Sequence, residues 1–338
     1  MRDDTNNLQQ KIILKEQTPK YYINAIGCTT NMEISEKEFY KIKNAKDFLH
    51  FLYQIETKYD FITGNYFDLQ KTLLQSQLDT TLFSKQFNIL HISQQNRLLN
   101  RILFNYLSTT KLYFDQIHLP EIFADNPIKE EINRYLLDFR NDEINNFMIE
   151  LRNHMQHSSI SSHLSIQSTK KVNPMTNNNL VFNYTTLFLD IDNFLQDKEL
   201  SKQTRKQYKE NAKNYVKKFK KNKCELELTE HIFKFYANIV KFHYRIRELL
   251  NDNKEKSMTI LDEMYQNYKA IVEQETAEPF EYIPPQNLMK IHTSQETIII
   301  TTNIMNYIKE LEQQNKMAGG AIICNASKKQ MQDWDNFY

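Results

Sequence analysis

Glycine and proline are scarce in this sequence of 338 residues, which contains four glycines and seven prolines. All-β domains need turn residues about every eight to twelve positions, and so few glycines and prolines cannot supply them. The same scarcity excludes a glycine-rich loop of the kind that binds nucleotide phosphates. The sequence therefore predicts long helices and a chemistry that does not depend on a Walker or dinucleotide-binding loop.

Cysteines are also few, and their spacing indicates no site. Cys28, Cys224 and Cys324 are far apart and odd in number, which fits neither a disulfide framework nor a metal or redox pair. The first ten residues are polar and lack the apolar core of a secretory signal, and no apolar run is long enough to span a bilayer. We therefore expect a cytoplasmic protein that does not associate with a membrane.

The net charge is only +1, so no global field draws the chain onto nucleic acid. A basic surface has to be local, and residues 202–223 predict one, because they contain ten Lys or Arg and a single acid, Glu210. Basic side chains on one helix can follow a phosphate backbone. The candidate RNA-binding residues of this segment are Lys209, Lys213, Lys217 and Lys220.

The same segment has a structural alternative. Tyr208, Tyr215 and Phe219 recur in it at helical spacing, which is typical of an amphipathic helix with an aromatic face toward the core. In that case the lysines are simply solvated on the opposite face. The two interpretations can hold together.

Helical periodicity dominates the rest of the chain, because apolar residues recur at spacings of three and four. Ser35 with Glu38, and Thr293 with Glu296, form capping boxes that predict the start of a helix. Gly64-Asn65 predicts a break. Helices are predicted at about 35–63, around 67–74, and at about 82–117, 127–157, 193–222, 228–251, 254–275 and 293–314.

Strands are predicted at few positions. Two β-prone runs at about 164–168 and 180–189 predict a hairpin, and a short strand is expected at Tyr21-Tyr22-Ile23. The expected fold class is all-α, a helical bundle with one small β-hairpin inserted after the helix at 127–157. The expected segments are an N-terminal arm at 1–32, a helical domain at 33–275, and a C-terminal linker, helix and tail at 276–338.

The most informative stretch is Arg152-Asn153-His154-Met155-Gln156-His157, near the end of a predicted helix. A guanidinium can bind a phosphate, and an imidazole can move a proton near neutral pH. RNA cleavage without a metal requires at least these two groups. An Arg and a His separated by four to six residues are expected by chance about 0.7 times in this composition, but Asn directly after the Arg and a gap of four lower this to about 0.02.

This motif resembles that of the HEPN superfamily (higher eukaryotes and prokaryotes nucleotide-binding), in which Arg, usually followed by a polar residue, precedes His by four to six intervening residues. The match lies at Arg152, Asn153 and His157, and in architecture it covers about 35–275. The resemblance implies that these three residues are catalytic, in a helical homodimer that cleaves RNA without metal or cofactor. It also implies a toxin-like or anti-phage defence effector, with an antitoxin or another defence-system protein as a possible partner. Ser158-Ser159 stand where many members have Gly, which alters the turn but removes no catalytic group.

Helix geometry separates the two ends of the motif. At about 100° per residue, Asn153 and His157 share a face, whereas Arg152 lies about 140° from His157. One ideal helix therefore does not direct both groups at one phosphate. Either Arg152 reaches around a fraying helix end, or a homodimer combines residues of two copies. His154 is a candidate phosphate contact if Glu150, four residues earlier, keeps it protonated.

Two structural alternatives stay open. Arg and His near a helix C-terminus also complement the helix dipole, which would account for Arg152 and His157 without catalysis. Asp190 and Asp192 could share a divalent ion, but N-capping explains them better, and no metal site is assigned. The expected function is a metal-independent endoribonuclease that leaves a 2′,3′-cyclic phosphate. The alternative is a non-catalytic HEPN-like module for RNA binding or dimerisation in a larger defence complex.

Overall fold

The computed structural model describes most of the chain and shows a mostly helical protein. The described residues are 20–82, 89–117, 127–157, 162–172, 179–196, 206–220, 225–276, 288–293, 296–301 and 303–320. Their helices are α1 (Glu36–Leu82), α2 (Ile89–Asp115), α3 (Pro127–Asn141), α4 (Glu143–His157), α5 (Ile191–Gln196), α6 (Lys206–Lys220), α7 (Leu228–Thr276) and α8 (Ile304–Gly320). Their strands are β1 (Tyr21–Ala25), β2 (Met32–Ile34), β3 (Ser162–Val172), β4 (Asn179–Asp190), β5 (Glu225–Glu227), β6 (Leu288–His292) and β7 (Thr297–Thr301).

Two small antiparallel sheets accompany the helices. One has the strand order β2-β1-β6-β7, and the other has the order β3-β4-β5. The predicted hairpin is present as β3 and β4, and its register pairs Ser162 with Leu189 and Val172 with Asn179. The strand expected near Tyr21 is present as β1. The fold is therefore mostly helical as predicted, but it contains more β-structure than a single hairpin.

The chain forms two compact units, each built from two separate stretches of the sequence. One unit comprises residues 1–53 and 252–308, and the other comprises 54–251 and 309–338. Helices α1, α7 and α8 each contribute one part to each unit. The Arg152–His157 motif, the hairpin β3–β4 and the basic helix α6 all belong to the second unit.

The first unit is built around the four-stranded sheet. Ile23, Met289 and Ile291 are fully buried in its strands β1 and β6, and the Tyr268 hydroxyl of α7 donates to the backbone oxygen of Thr30 at 3.0 Å. Buried apolar strand residues of this kind, at about 25 cal/mol per Å² of apolar area, provide the main stabilisation of so small a sheet.

The capping-box prediction holds at one end of the chain and fails at the other. The Ser35 hydroxyl donates to Glu38 Oε2 at 2.7 Å, and the Glu38 backbone N–H donates back to Ser35 Oγ at 3.2 Å, at the start of α1. Thr293 and Glu296 form the same kind of side-chain bond, from the Glu296 N–H to Thr293 Oγ1 at 3.0 Å. That bond, however, lies in the connection between β6 and β7, so the prediction of a helix beginning there is wrong. The reciprocal backbone bond from Thr293 N–H to the Glu296 oxygen, at 2.8 Å, shows a tight turn.

Two predicted helix breaks are absent. Helix α1 continues through Gly64, where an added Cβ would meet no heavy atom within 4 Å. Glycine costs about 1 kcal/mol in a helix interior, and the fully buried side chains of Ile62 and Tyr66 on either side offset that cost. Helix α7 likewise continues through the polar stretch at 251–254, where two separate helices were predicted.

One break is present where a single helix was predicted. The segment 127–157 forms α3 and α4, separated at Asp142. The Asp142 carboxylate accepts hydrogen bonds from the backbone N–H groups of Ile144 at 3.0 Å and Asn145 at 2.9 Å, which is the geometry of an N-cap. The cap starts α4 afresh and so sets the direction in which the motif at its other end projects.

Replacement of Asp142 by alanine is therefore expected to lower the free energy of unfolding by about 1 kcal/mol, because two N–H groups at the start of α4 lose their acceptor. Urea denaturation measures this difference. The matched control is Asp138→Ala on the exposed face of α3, which should change stability by less than about 0.5 kcal/mol. Equal effects of the two substitutions would contradict the capping role.

Stacked aromatic rings fill the core of the second unit. The rings of Tyr66 and Tyr236 stack at a centroid distance of 3.8 Å, and those of Phe114 and Phe139 stack at 4.0 Å. These pairs join α1 to α7 and α2 to α3. Aromatic pairs contribute about 0.5–1.5 kcal/mol beyond their buried area, so they account for the relative placement of these helices.

A charged network is also buried in the second unit. The Arg247 guanidinium makes a two-pronged contact with Glu56, whose side chain is 3% exposed, with Nε donating to Oε1 at 2.6 Å and Nη2 donating to Oε2. Asn315 Nδ2 donates to Oε2 of Glu56 at 3.0 Å. His243 Nε2 lies 3.3 Å from Oε1, and its Nδ1 lies 2.9 Å from the Tyr113 hydroxyl. The network thus links α1, α2, α7 and α8.

Protonation in this network follows from its burial and its bonds. Burial alone would raise the pKa of Glu56, but the hydrogen bonds and charges of Arg247 and His243 lower that pKa well below its ordinary value. Burial lowers the pKa of His243 despite the nearby carboxylate. A neutral His243 then carries its proton on Nε2 toward Glu56 and accepts from the Tyr113 hydroxyl at Nδ1. In this assignment the Glu56 carboxylate faces donors of Arg247, Asn315 and His243, whereas Nη1 of Arg247 has no acceptor among the described residues.

Across the residues described, no helix combines the length and the apolar character needed to cross a membrane.

Candidate functional site

Helix α4 positions the motif by burying one of its faces. Phe147, Met148 and Leu151 on this face are completely buried. Phe147 contacts Phe194 of α5 and Tyr215 of α6, with ring centroids 5.7 and 5.5 Å apart. These buried side chains fix the rotation of α4 about its axis. The rotation in turn determines which residues of the motif face the surface.

Arg152 and Asn153 belong to one hydrogen-bonded chain on the last two turns of α4. Arg152 Nη1 donates to Asn153 Oδ1 at 3.3 Å and to Gln156 Oε1. Asn153 Nδ2 in turn donates to Oε2 of Glu150 at 3.1 Å. The carboxylate, the amide and the guanidinium are therefore held in sequence, which orients groups that would otherwise rotate freely.

Arg152 is half-buried against the neighbouring helix α2. Its guanidinium carbon lies 5.9 Å from the ring centroid of Phe104, and its Nε is buried without an acceptor among the residues that the structure describes. A guanidinium with an unused donor and an aromatic ring behind it can accept an anion at modest cost in side-chain entropy. Arg152 thus has the environment that a phosphate ligand would need.

His154 does not lie on the surface. Its side chain is 1% exposed, and its ring packs edge-on against Phe194 at a centroid distance of 5.2 Å. It continues the buried row formed by Phe147 and Leu151: Leu151 is four residues after Phe147, and His154 is three residues after Leu151. The ring therefore offers RNA no exposed edge.

The backbone of His157 ends α4, but its side chain lies outside the described part of the structure. Its helical backbone places it four residues after Asn153 and therefore on the same face. The structure brings Arg152 and Asn153 together and leaves their approach to His157 as a prediction.

Helix α6 has the apolar face that the structural alternative predicted, and its contact with RNA stays a prediction. Ala212 and Val216 are fully buried and Tyr215 nearly so, which confirms the apolar face. Lys217 is exposed and Lys209 and Lys213 are half-buried, whereas the side chain of Lys220 lies outside the described residues. Lys218 donates to both carboxylate oxygens of Glu143, at 2.7 Å each, and so joins α6 to the start of α4.

One of the two carboxylates considered as a metal pair, that of Asp190, has a structural role in this fold. Asp190 Oδ1 accepts from the backbone N–H of Asn193 at 3.0 Å and caps α5. Within the described ranges, no three His, Cys, Asp or Glu side chains converge as a metal site requires.

Two residues of the motif face were missed as a functional group when only the sequence was considered. Asn146 and Glu150 precede Asn153 by seven and three residues, and both are almost completely buried. Together with His157 they form a polar row at spacings of four, three and four along α4. The spacing of these residues could have identified them as one helix face, whereas their burial depends on tertiary packing.

No protein-family model matches this chain, and comparison with the curated proteins and with the solved structures found no match.

Proposed function

We propose that this chain is a metal-independent endoribonuclease of the HEPN type. The observation that carries the proposal is the hydrogen-bonded series Glu150–Asn153–Arg152 on the last two turns of α4. The helix itself ends at His157. It supplies a half-buried guanidinium for a phosphate and an amide that shares a helix face with an imidazole. The basic face of α6, in the same unit, supports RNA as the substrate.

The proposed reaction is an internal transfer of the phosphodiester. His157 of one copy removes the proton from a ribose 2′-hydroxyl, and the 2′-oxygen attacks the adjacent phosphorus. The bond from phosphorus to the 5′-oxygen breaks, and that oxygen takes up a proton from water. The products are a 2′,3′-cyclic phosphate and a 5′-hydroxyl. Arg152 stabilises the negative charge on the phosphoryl oxygens, where it has the largest effect in the transition state.

Asn153 acts as a positioning residue in this scheme. Its amide is held by Glu150 on one side and by Arg152 on the other. From that position it lies one turn before His157 and can orient the imidazole. A toxin-like or anti-phage role, under control of an antitoxin or another defence protein, is part of the proposal through the HEPN resemblance.

The test is the incubation of the full chain with total RNA in the presence of EDTA. We expect cleavage to products that end in a 2′,3′-cyclic phosphate, and a loss of about 100-fold or more in Arg152→Ala and in His157→Ala. The matched controls are Arg134→Ala and His50→Ala, which alter exposed residues of α3 and α1 and should leave the rate unchanged.

Two outcomes would overturn the proposal. Cleavage that requires an added divalent metal would point to a different chemistry. RNA binding without cleavage at any protein concentration would favour the alternative, a non-catalytic HEPN-like module for RNA binding or dimerisation. In that case the lysines of α6 should account for binding, and each lysine removed should reduce the salt dependence of the affinity.

A further inference from the structure

A cavity of about 100 Å³ lies beside the motif, between α2, α3, α4 and α6. The cavity is not closed, because Asp115 and Arg140 at its rim are exposed, so it can take one edge of a flat ligand that extends into solvent. Two of its lining residues, Asn146 and Glu150, belong to the polar row of α4. The cavity is also lined by Phe114, Phe139, Ile149 and Tyr208.

One buried polar group at this cavity has no partner. Asn146 is 3% exposed, and its Nδ2 makes no hydrogen bond to any residue that the structure describes. A buried donor without an acceptor costs about 1–3 kcal/mol, and an acceptor on a molecule in the cavity would remove that cost. The donor therefore indicates a ligand that supplies an acceptor at this point.

The neighbouring Glu150 offers the complementary function. Its side chain is 1% exposed, and its carboxylate already accepts one hydrogen bond, from Asn153. A carboxylate has about four lone-pair positions and can accept more than one N–H at once. Asn146 and Glu150 are four residues apart on one helix face, so a donor and a multiple acceptor stand side by side.

The remaining walls suit a flat, uncharged ring. Phe114, Phe139 and Ile149 are apolar, and Tyr208 adds a half-exposed aromatic ring. The charged residues at the cavity balance, because Lys111 pairs with Asp115 while Arg140 and Glu150 carry opposite charges. A site with no net charge does not favour a free phosphate over a neutral ligand.

We propose that this cavity is a nucleobase subsite that takes guanine. Guanine is the base whose Watson–Crick edge presents two adjacent N–H donors next to an oxygen acceptor. The two donors match the Glu150 carboxylate, and the O6 acceptor matches Asn146 Nδ2. Contacts of a carboxylate or amide with a base edge are the usual means of discriminating bases, and the aromatic walls add stacking.

The position of the subsite relates it to the motif. Glu150 precedes His157 by seven residues, which corresponds to about 10 Å along the axis of α4. A base held at Glu150 therefore lies about one or two nucleotides from a phosphate at the end of the helix. In this respect the inference rests on the proposed function and names its substrate class, namely RNA with guanine at a fixed position beside the cut.

The first experiment tests the subsite without any cleavage. Guanosine, adenosine, cytidine and uridine are titrated into the full chain by calorimetry, with nucleosides chosen so that no phosphate can bind Arg152. We expect guanosine to bind at least about tenfold more tightly than adenosine, because the Watson–Crick edge of adenine lacks the second N–H donor. Glu150→Gln should remove that preference, whereas Glu143→Gln, on the exposed start of α4, should retain it.

A second variant keeps the test decisive if Glu150→Gln does not fold by circular dichroism. Tyr208→Leu removes one aromatic wall at a half-exposed position and should weaken guanosine binding about fivefold or more. Guanosine that binds no more tightly than adenosine would overturn the proposal.

Mapping of RNA cleavage sites separates the subsite from the proposed function. Enrichment of guanine at one fixed position, lost in Glu150→Gln, supports both. Cleavage without any base preference overturns the subsite and leaves the endoribonuclease standing. Selective binding of guanosine without any cleavage supports the subsite and rejects the endoribonuclease.

Discussion

Replacement of Glu56 by alanine is expected to lower the free energy of unfolding by about 3–5 kcal/mol. The substitution leaves the Arg247 guanidinium, 11% exposed, in the core without its two-pronged partner. It also removes the side-chain acceptor of Asn315 Nδ2, which keeps only the longer bond of 3.4 Å to the backbone oxygen of residue 56, and the carboxylate facing His243 Nε2. Three buried side chains thus lose a hydrogen-bond acceptor together. Leaving them unpaired lowers the free energy of unfolding much more than replacing the whole network by apolar residues would. Urea denaturation of the purified variants gives the measurement.

Two controls separate the pairing from the loss of a side chain. Glu248→Ala, at an exposed position of the same unit, should change the free energy of unfolding by less than about 0.5 kcal/mol. The double replacement Glu56→Met with Arg247→Met removes both charges and keeps the volume, so it should cost less than Glu56→Ala alone. If Glu56→Ala were as stable as the parent, water would have to reach Arg247, and the network would not hold the helices together.

The same network predicts a loss of stability in acid. The folded pKa of Glu56 is lowered, so its contribution is fully present above the unfolded value of about 4.3 and is lost as the pH falls through the lower folded value. The folded pKa of His243 is also lowered, so the unfolded chain takes up a proton below about 6.5 before the folded chain does. Both effects reduce the free energy of unfolding as the pH falls. Denaturation at pH 8, 6 and 4 should show this decline, and Glu56→Ala should make the part below about pH 5 shallower.

The sequence alone was sufficient for the elements that local patterns determine. Helical periodicity, the capping box at Ser35 and the β-prone runs on either side of 173–178 each involve residues close in the chain, and each corresponds to an element of the structure. The failures occurred where a local signal competed with packing. Gly64 is a helix breaker by propensity, but buried neighbours carry α1 through it. Thr293 and Glu296 have the spacing of a helix cap, yet the pairing of β6 with β7 uses the same bond in a turn.

The candidate site shows the same division. The motif and the polar face of α4 can be identified from spacing, because both depend on one helix. The pairing of Asn153 with Glu150, the burial of His154 and the cavity at Asn146 depend on which face of α4 meets α2, α3 and α6. A sequence does not show that choice when both faces carry polar residues. Tertiary packing decides it, here through Phe147 and its contacts with Phe194 and Tyr215.

A mixture of two inactive variants, Arg152→Ala and His157→Ala, is expected to regain about a quarter of the parental cleavage rate once subunits exchange. Arg152 contacts Phe104 of α2, while His157 lies about 140° around the same helix. One copy therefore does not direct both groups at one phosphate, and a two-fold pair of copies can. If Arg152 of one copy works with His157 of the other, each mixed dimer has one site with both residues intact. In an equimolar mixture half of the dimers are mixed, and half of the sites in those dimers are intact, so about a quarter of all sites can cleave RNA.

The comparison that isolates this arrangement uses His157→Ala mixed with the double variant Arg152→Ala, His157→Ala. No pairing of those chains contains an intact His157, so the rate should stay at the background. Subunit exchange is verified independently by mass spectrometry of copies with different affinity tags. If mixed dimers form and the rate remains at background for the first mixture as well, Arg152 and His157 of the same copy must act together. Helix α4 would then have to unwind at its end, because only a frayed last turn lets one chain bring the two side chains to the same phosphate.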